Sequence, residues 1–219
     1  MGIIKYLDSD PTLFISLIIC LIFSLCFHEY AHGITAYYFG DDTAYRHGRL
    51  TLNPLAHLDP VGSMMILFIG IGYAKPVPVN QFKLRNPNSD IIKVAAAGPI
   101  SNLLLCFIGI FVFHFLKPEH SNTLYLFLQI FISINAALAI FNLLPVYPLD
   151  GGQIFGNLLS RRYPAASNNL LLYGPKILLA IILVGLLTGY SILWLIIGPI
   201  INFIINLFET IIIFIFNIF

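Results

Sequence analysis

Apolar stretches long enough to cross a bilayer alternate with short polar segments along this chain. A hydrocarbon layer of about 30 Å, crossed at about 1.5 Å per residue, needs roughly 20 apolar residues. Residues 12–39, 91–116, 124–144, 175–197 and 200–219 meet that length, the last beginning after the helix-breaking pair Gly198-Pro199. The pattern predicts an all-α polytopic membrane protein, a bundle of about five to six membrane helices. Between the first two spans the pattern changes. The alternating "RLTLN" predicts a short strand. "GSMMILFIGIGYA" is apolar but too short to span, so a re-entrant or interfacial course is expected. "KPVPVNQFKLRNPNSD" is rich in Pro and Asn, hence extended and turning.

Composition agrees: 58% of residues are hydrophobic and 10% charged, well beyond a soluble domain. A net charge of +1 without basic runs gives no case for a nucleic-acid partner. Cys20, Cys26 and Cys106 lie in apolar stretches without CxxC spacing, which argues against disulfides and a cysteine metal site. No small-residue cleavage site follows the first apolar run, so it is expected to stay as an anchor. Nine of the eleven Lys and Arg residues fall in the segments that follow the first and third spans. The positive-inside rule then predicts an external N-terminus and a cytoplasmic location for those segments.

The first span ends in "CFHEYAHG", residues 26–33. Titratable groups are costly inside a bilayer, so they mark function there. On a helix, His28 and His32 share one face with Cβ atoms about 6 Å apart. Both imidazoles can then bind one Zn²⁺ at about 2.0–2.1 Å. Glu29 projects beside them and is the expected general base toward a water at the zinc. A catalytic zinc needs a third protein ligand and one open position. "NLLPVYPLDGGQ", residues 142–153, offers Asp150 directly after the third span, on the same side as the histidines. Asp150 also suits the N-cap of a helix beginning near Gln153. Asn102 in the second span and Asn142 at the end of the third are candidates to hold substrate or its developing oxyanion. Each could equally make only an interhelical hydrogen bond.

Together, "HEYAHG", "AAAGPISN" and "NLLPVYPLDGGQ", in that order on successive spans, resemble the site-2 protease family of intramembrane zinc metalloproteases. "LTLNPLAHLDPVG" and "GYAKPVPVN" resemble its small prokaryotic members. The resemblance covers about residues 12–160. It implies one zinc held by His28, His32 and Asp150, with Glu29 as catalytic base or acid. It implies hydrolysis of peptide bonds in or near transmembrane segments of membrane-protein substrates, in regulated intramembrane proteolysis. Neither a PDZ nor a CBS pattern is found, which suits a stand-alone member. The expected organisation is a catalytic core over 1–160 and C-terminal membrane helices over 161–219.

Two other readings compete: a zinc transporter, and a non-catalytic binder of membrane proteins on a protease scaffold. The spans other than the first carry no further histidine or acid at mid-depth apart from Glu209, and the His, Glu, His and Asp set is intact. Asn202, Asn206 and Glu209 form a stripe at helical spacing, expected to face protein or water, including a second copy in an oligomer. The strand-like residues 49–53 could pair with an unwound substrate.

Overall fold

The computed structural model describes residues 2–70, 72–160 and 162–218. Its helices are α1 (Tyr6–Ser9), α2 (Pro11–Tyr38), α3 (Thr43–Arg46), α4 (Pro54–His57), α5 (Pro60–Phe68), α6 (Pro87–Leu116), α7 (Thr123–Asn142), α8 (Asp150–Ser160), α9 (Pro164–Thr188) and α10 (Ile192–Ile218). Five of them, α2, α6, α7, α9 and α10, are long and apolar enough to cross a membrane. This is the expected all-α polytopic membrane fold.

Local chemistry sets the helix ends. Asp10 caps α2, accepting from Leu13 N at 2.9 Å, and Pro11 takes the first position, where a missing N–H costs nothing. Asn122 caps α7 in the same way through Leu124 N. The two C-terminal spans differ from expectation. Pro175 lies inside α9 and Pro199 inside α10, and the break falls at Gly189, whose φ of +76° ends α9. A proline removes one backbone bond, which neighbouring helices make tolerable in a membrane. A left-handed glycine ends a helix outright.

The inner layer is α2, α6 and α7. Its buried positions are rich in small residues, among them Ser24, Ala36, Ala95, Gly98, Ala136 and Ala139, which let the backbones approach. Cys106, Ile110, Ile132, Ile140, Ile197, Ile201 and Ile212 join α6 and α7 to α10 in one apolar cluster. The polar stripe on α10 is divided by that packing: the isoleucines turn inward, Glu209 is half-buried beside them, and Asn202 and Asn206 are exposed.

Residues 39–86 cover the end of α2 that carries the histidines. No strand occurs among the described residues, so the strand expected at "RLTLN" is corrected. Its backbone pairs with no neighbouring strand; Arg49 and Thr51 are instead drawn into bonds with residues 75–76 and His57. "GSMMILFIGIGYA" does not span either. Its residues 62–68 supply the body of α5, where Phe68 O accepts from Gly2 N at 2.9 Å; Ile71 lies outside the described residues, and beyond it Lys75 N donates to His57 O at 2.8 Å.

Candidate metal centre

The i, i+4 spacing puts His28 and His32 side by side, their Nε2 atoms 3.1 Å apart. Both are buried. Asp150, the first residue of α8, meets them from across the bundle: Oδ2 lies 3.2 Å from His28 Nε2 and Oδ1 lies 3.4 Å from His32 Nε2. The turn after α7 makes this approach close. A Cβ on Gly151 would overlap the Leu143 and Leu144 carbonyl oxygens, so only glycine lets α8 start here. Gly98 on α6 does the same on the Nε2 side of the histidines. A Cβ there would fall on His32 Nε2 and within 2.6 Å of His28 Nε2.

The hydrogen-bond partners fix the protons. His32 Nδ1 is 2.7 Å from Val94 O, which can only accept, so Nδ1 carries the proton. His28 Nδ1 faces Asn102 Oδ1 at 2.6 Å. The Asn102 amide is oriented by its other end, where Nδ2 donates to Ser24 O at 3.3 Å and to Asn135 Oδ1 at 2.9 Å. Asn135 is oriented in turn by donating to Phe131 O. His28 Nδ1 is therefore also a donor. Nε2 of each ring is then the atom left to face its neighbour and the carboxylate. Asp150 Oδ2 is buried and accepts no hydrogen bond.

With Nε2 of both rings deprotonated, these three donors would repel at such distances unless a cation lay between them. The donor set of two imidazoles and one carboxylate suits zinc. At zinc–ligand lengths of about 2.0–2.1 Å, the edges of a tetrahedron are about 3.3–3.4 Å, close to the separations here. Among the described residues these three form the one group of His, Cys, Asp and Glu side chains able to hold a metal ion. The residues present fit the metal.

The centre opens into a cavity of about 730 Å³ walled by α2, α6, α7, α8 and residues 72–81. Glu29 and Asn142 line it beside the three donors. Glu29 is half-buried, and its Oε2 accepts from Val77 N at 2.8 Å. Asn142 donates to Leu138 O at 3.0 Å, which leaves its Oδ1 and second N–H toward the cavity. Of the two readings open for Asn102, the bonds made here are the interhelical ones. Asn102 is fully buried behind His28, and every bond recorded for it goes to protein. A second hollow of about 290 Å³ on α2 is lined by apolar groups such as Phe23, Leu52 and Pro54, and holds none of these groups.

The profile of peptidase family M50 matches residues 117–184, which include Asp150 but not HEYAH. Over 185 residues the chain is 42% identical to a Bacillus subtilis (strain 168) protein named "Putative zinc metalloprotease YwhC", covering 81% of this chain and 84% of that one. The chain belongs to peptidase family M50, the site-2 proteases. Two M50 relatives lie further away. Rip2 of Mycolicibacterium smegmatis is 34% identical over 63% of this chain and 55% of its own length, and MJ0611 of Methanocaldococcus jannaschii is 29% identical over 69% and 75%. Both are likewise named as zinc metalloproteases. No solved structure matches. This M50 protein is thus a zinc metalloprotease and a multi-pass membrane protein.

Sequence reading did not find Asn135, Val94 O or Val77 N. An asparagine inside "ISINAALA" was a visible signal for Asn135, since an amide in a span needs a partner. The other two are backbone atoms and leave no mark in a sequence.

Proposed function

We propose that this M50 protein hydrolyses peptide bonds within or beside the transmembrane segments of membrane proteins, as a step of regulated proteolysis. His28, His32 and Asp150 would hold the zinc. The observation that carries the reading is the convergence of two imidazoles and a carboxylate with Glu29 on the wall of one cavity inside a membrane bundle.

Bound zinc supplies a Lewis acid and a water of lowered pKa. The chain supplies the rest. Glu29, held through Oε2, has Oε1 available to take the proton of the attacking water and return it to the leaving amine. Asn142 offers an N–H to the substrate backbone near the centre. Asn102 acts through His28, fixing its ring and tautomer. His28 lies 17 residues into α2, roughly 26 Å along it at helical rise, so the centre lies past the middle of the span, towards its C-terminal end. The nine cationic residues support a cytoplasmic location for that end, with the N-terminus outside. Residues 1–160 carry the whole set, and α9 and α10 form a C-terminal addition.

The test is cleavage of a single-span reporter in liposomes by wild type and Glu29→Gln, with zinc counted in both. Cleavage by wild type alone, at one zinc per chain in each, is the expected result. Equal cleavage by Glu29→Gln overturns the role of Glu29. A wild type that holds zinc, cuts no spanning reporter and cuts a soluble peptide overturns the intramembrane substrate.

A further inference from the structure

We infer that the backbone N–H of Val77 is the group that orients Glu29, and that residues 75–80 form a rigid strap built to deliver it. The inference rests on the reading of Glu29 as the base. It adds a positioning group that the HExxH motif does not contain.

The contact is Val77 N to Glu29 Oε2 at 2.8 Å. Its setting makes it specific. Val77 lies between Pro76 and Pro78, neither of which has an N–H. Lys75 N is taken by His57 O at 2.8 Å. From Lys75 to Pro78, Val77 N is therefore the one donor left, and the two prolines restrict the backbone around it.

The strap is tied on both sides of that donor. On the N-terminal side, Arg49 Nη2 donates to Lys75 O at 2.7 Å and Pro76 O at 3.3 Å. His57, fully buried, bonds Thr51 O through Nε2 at 2.7 Å. On the C-terminal side, the buried Asp41 accepts from Asn80 N through Oδ2 at 2.6 Å and from Thr43 N through Oδ1 at 3.0 Å. The Val77 side chain is buried against α2, its Cγ1 3.3 Å from where a Cβ on Gly33 would stand. Gly33 is one turn beyond Glu29 on the same helix. The strap thus grips α2 through a side chain and aims an amide at the carboxylate above it.

A carboxylate on a long side chain has several rotamers, and only some place an oxygen at the metal centre. Fixing one oxygen on Val77 N leaves the other at a defined place. Misplacement by about 1 Å can cost roughly 100-fold in rate.

Two substitutions separate donor from side chain. Val77→Pro removes the N–H and keeps an apolar residue in an already Pro-rich strap. Val77→Ala keeps the N–H and removes the packing. The inference predicts that Val77→Pro loses kcat by roughly 10- to 100-fold, with KM and one zinc per chain unchanged. Val77→Ala, which keeps the N–H, loses less kcat than Val77→Pro and loses thermal stability as well. Equal kcat in Val77→Pro and wild type overturns it, as does an equal loss in both variants. A readout that does not need the proline is the amide resonance of Val77 in protein labelled with 15N-valine, assigned by its absence from Val77→Ala. In Glu29→Ala this resonance shifts and exchanges faster with solvent if the bond exists; an unchanged signal overturns the inference. The comparison of kcat is made once wild type cleaves and Glu29→Gln does not, so failure of the protease reading shows there first.

Discussion

The two sides of the cavity are built by different means. On the metal side, three side chains from α2 and α8 converge, and Asn102 and the Val94 carbonyl of α6 hold the two imidazoles through their Nδ1 atoms, with Asn102 itself held by Ser24 of α2 and Asn135 of α7. Small residues such as Gly98 and Gly151 bring the helices close enough. On the other side a non-helical strap offers Glu29 a backbone amide, and its own ties run through Arg49, His57 and Asp41. The first construction suits a ligand cage, which packed helices can hold rigidly. The second suits a group that must be held at one place beside the cage, since its ties are independent of the ligands and can be cut without breaking them. Damage to the first should therefore cost zinc, whereas damage to the second should cost turnover at full zinc.

The largest effects should fall on the cage. Asp150→Ala removes a ligand, and Gly98→Ala drives a methyl group onto both imidazole nitrogens. Each should lower zinc affinity by more than the ~10- to 100-fold typical of losing a supporting partner, read by metal analysis after dialysis against a weak chelator. Full zinc in Gly98→Ala would show that the helices can part, against the close packing described here.

Next comes Asn102→Leu. It takes the acceptor from His28 Nδ1 and strands the amide of Asn135. Zinc affinity should fall by about 10- to 100-fold, with activity restored by added zinc. If zinc binding is unchanged and KM rises, Asn102 belongs with the substrate after all.

Arg49→Met tests the strap. It releases the carbonyls of Lys75 and Pro76 but leaves the cage intact. Zinc content should be unchanged while kcat falls by several-fold, less than the roughly 100-fold ascribed to outright misplacement. Loss of zinc in this variant would erase the distinction between the two sides.

What was legible beforehand divides along the same line. The residues proposed as ligands and base, and the spans, stood out because charge and imidazole in an apolar run are costly and so informative. Asn102 was noticed, but its direction was not: an amide can face a substrate or a neighbouring ring, and only the burial behind His28 decides. The end of α9 was misplaced because Gly198-Pro199 reads as a stronger breaker than Gly189, although within a bundle it is not. The alternation in "RLTLN" resembled a strand, but side-chain period says nothing about whether a partner strand exists. The strap's amide had no sequence signal beyond two prolines that leave one N–H between them.

The smallest effect concerns the outer surface. Hydrogen bonding from Lys83, helped by Arg46, holds the Asp42 carboxyl below its usual range. A lowered folded value means that the pair stabilises the fold above the unfolded carboxylate pKa of about 3.9 and is lost as pH falls through the folded value. Asp42→Asn should flatten that acid decline in Tm only slightly, because the group is exposed and screened by salt. A large change would mean that Asp42 anchors the segment over the site.

The central claim is that His28, His32 and Asp150 hold one zinc with a position left open. X-ray absorption at the zinc K-edge, on wild-type protein purified in detergent, tests it most directly. The account predicts a four-coordinate site with two imidazoles and oxygen ligands at about 2.0–2.1 Å, and no sulfur. A sulfur shell near about 2.3 Å, or a site without imidazole scattering, would contradict it.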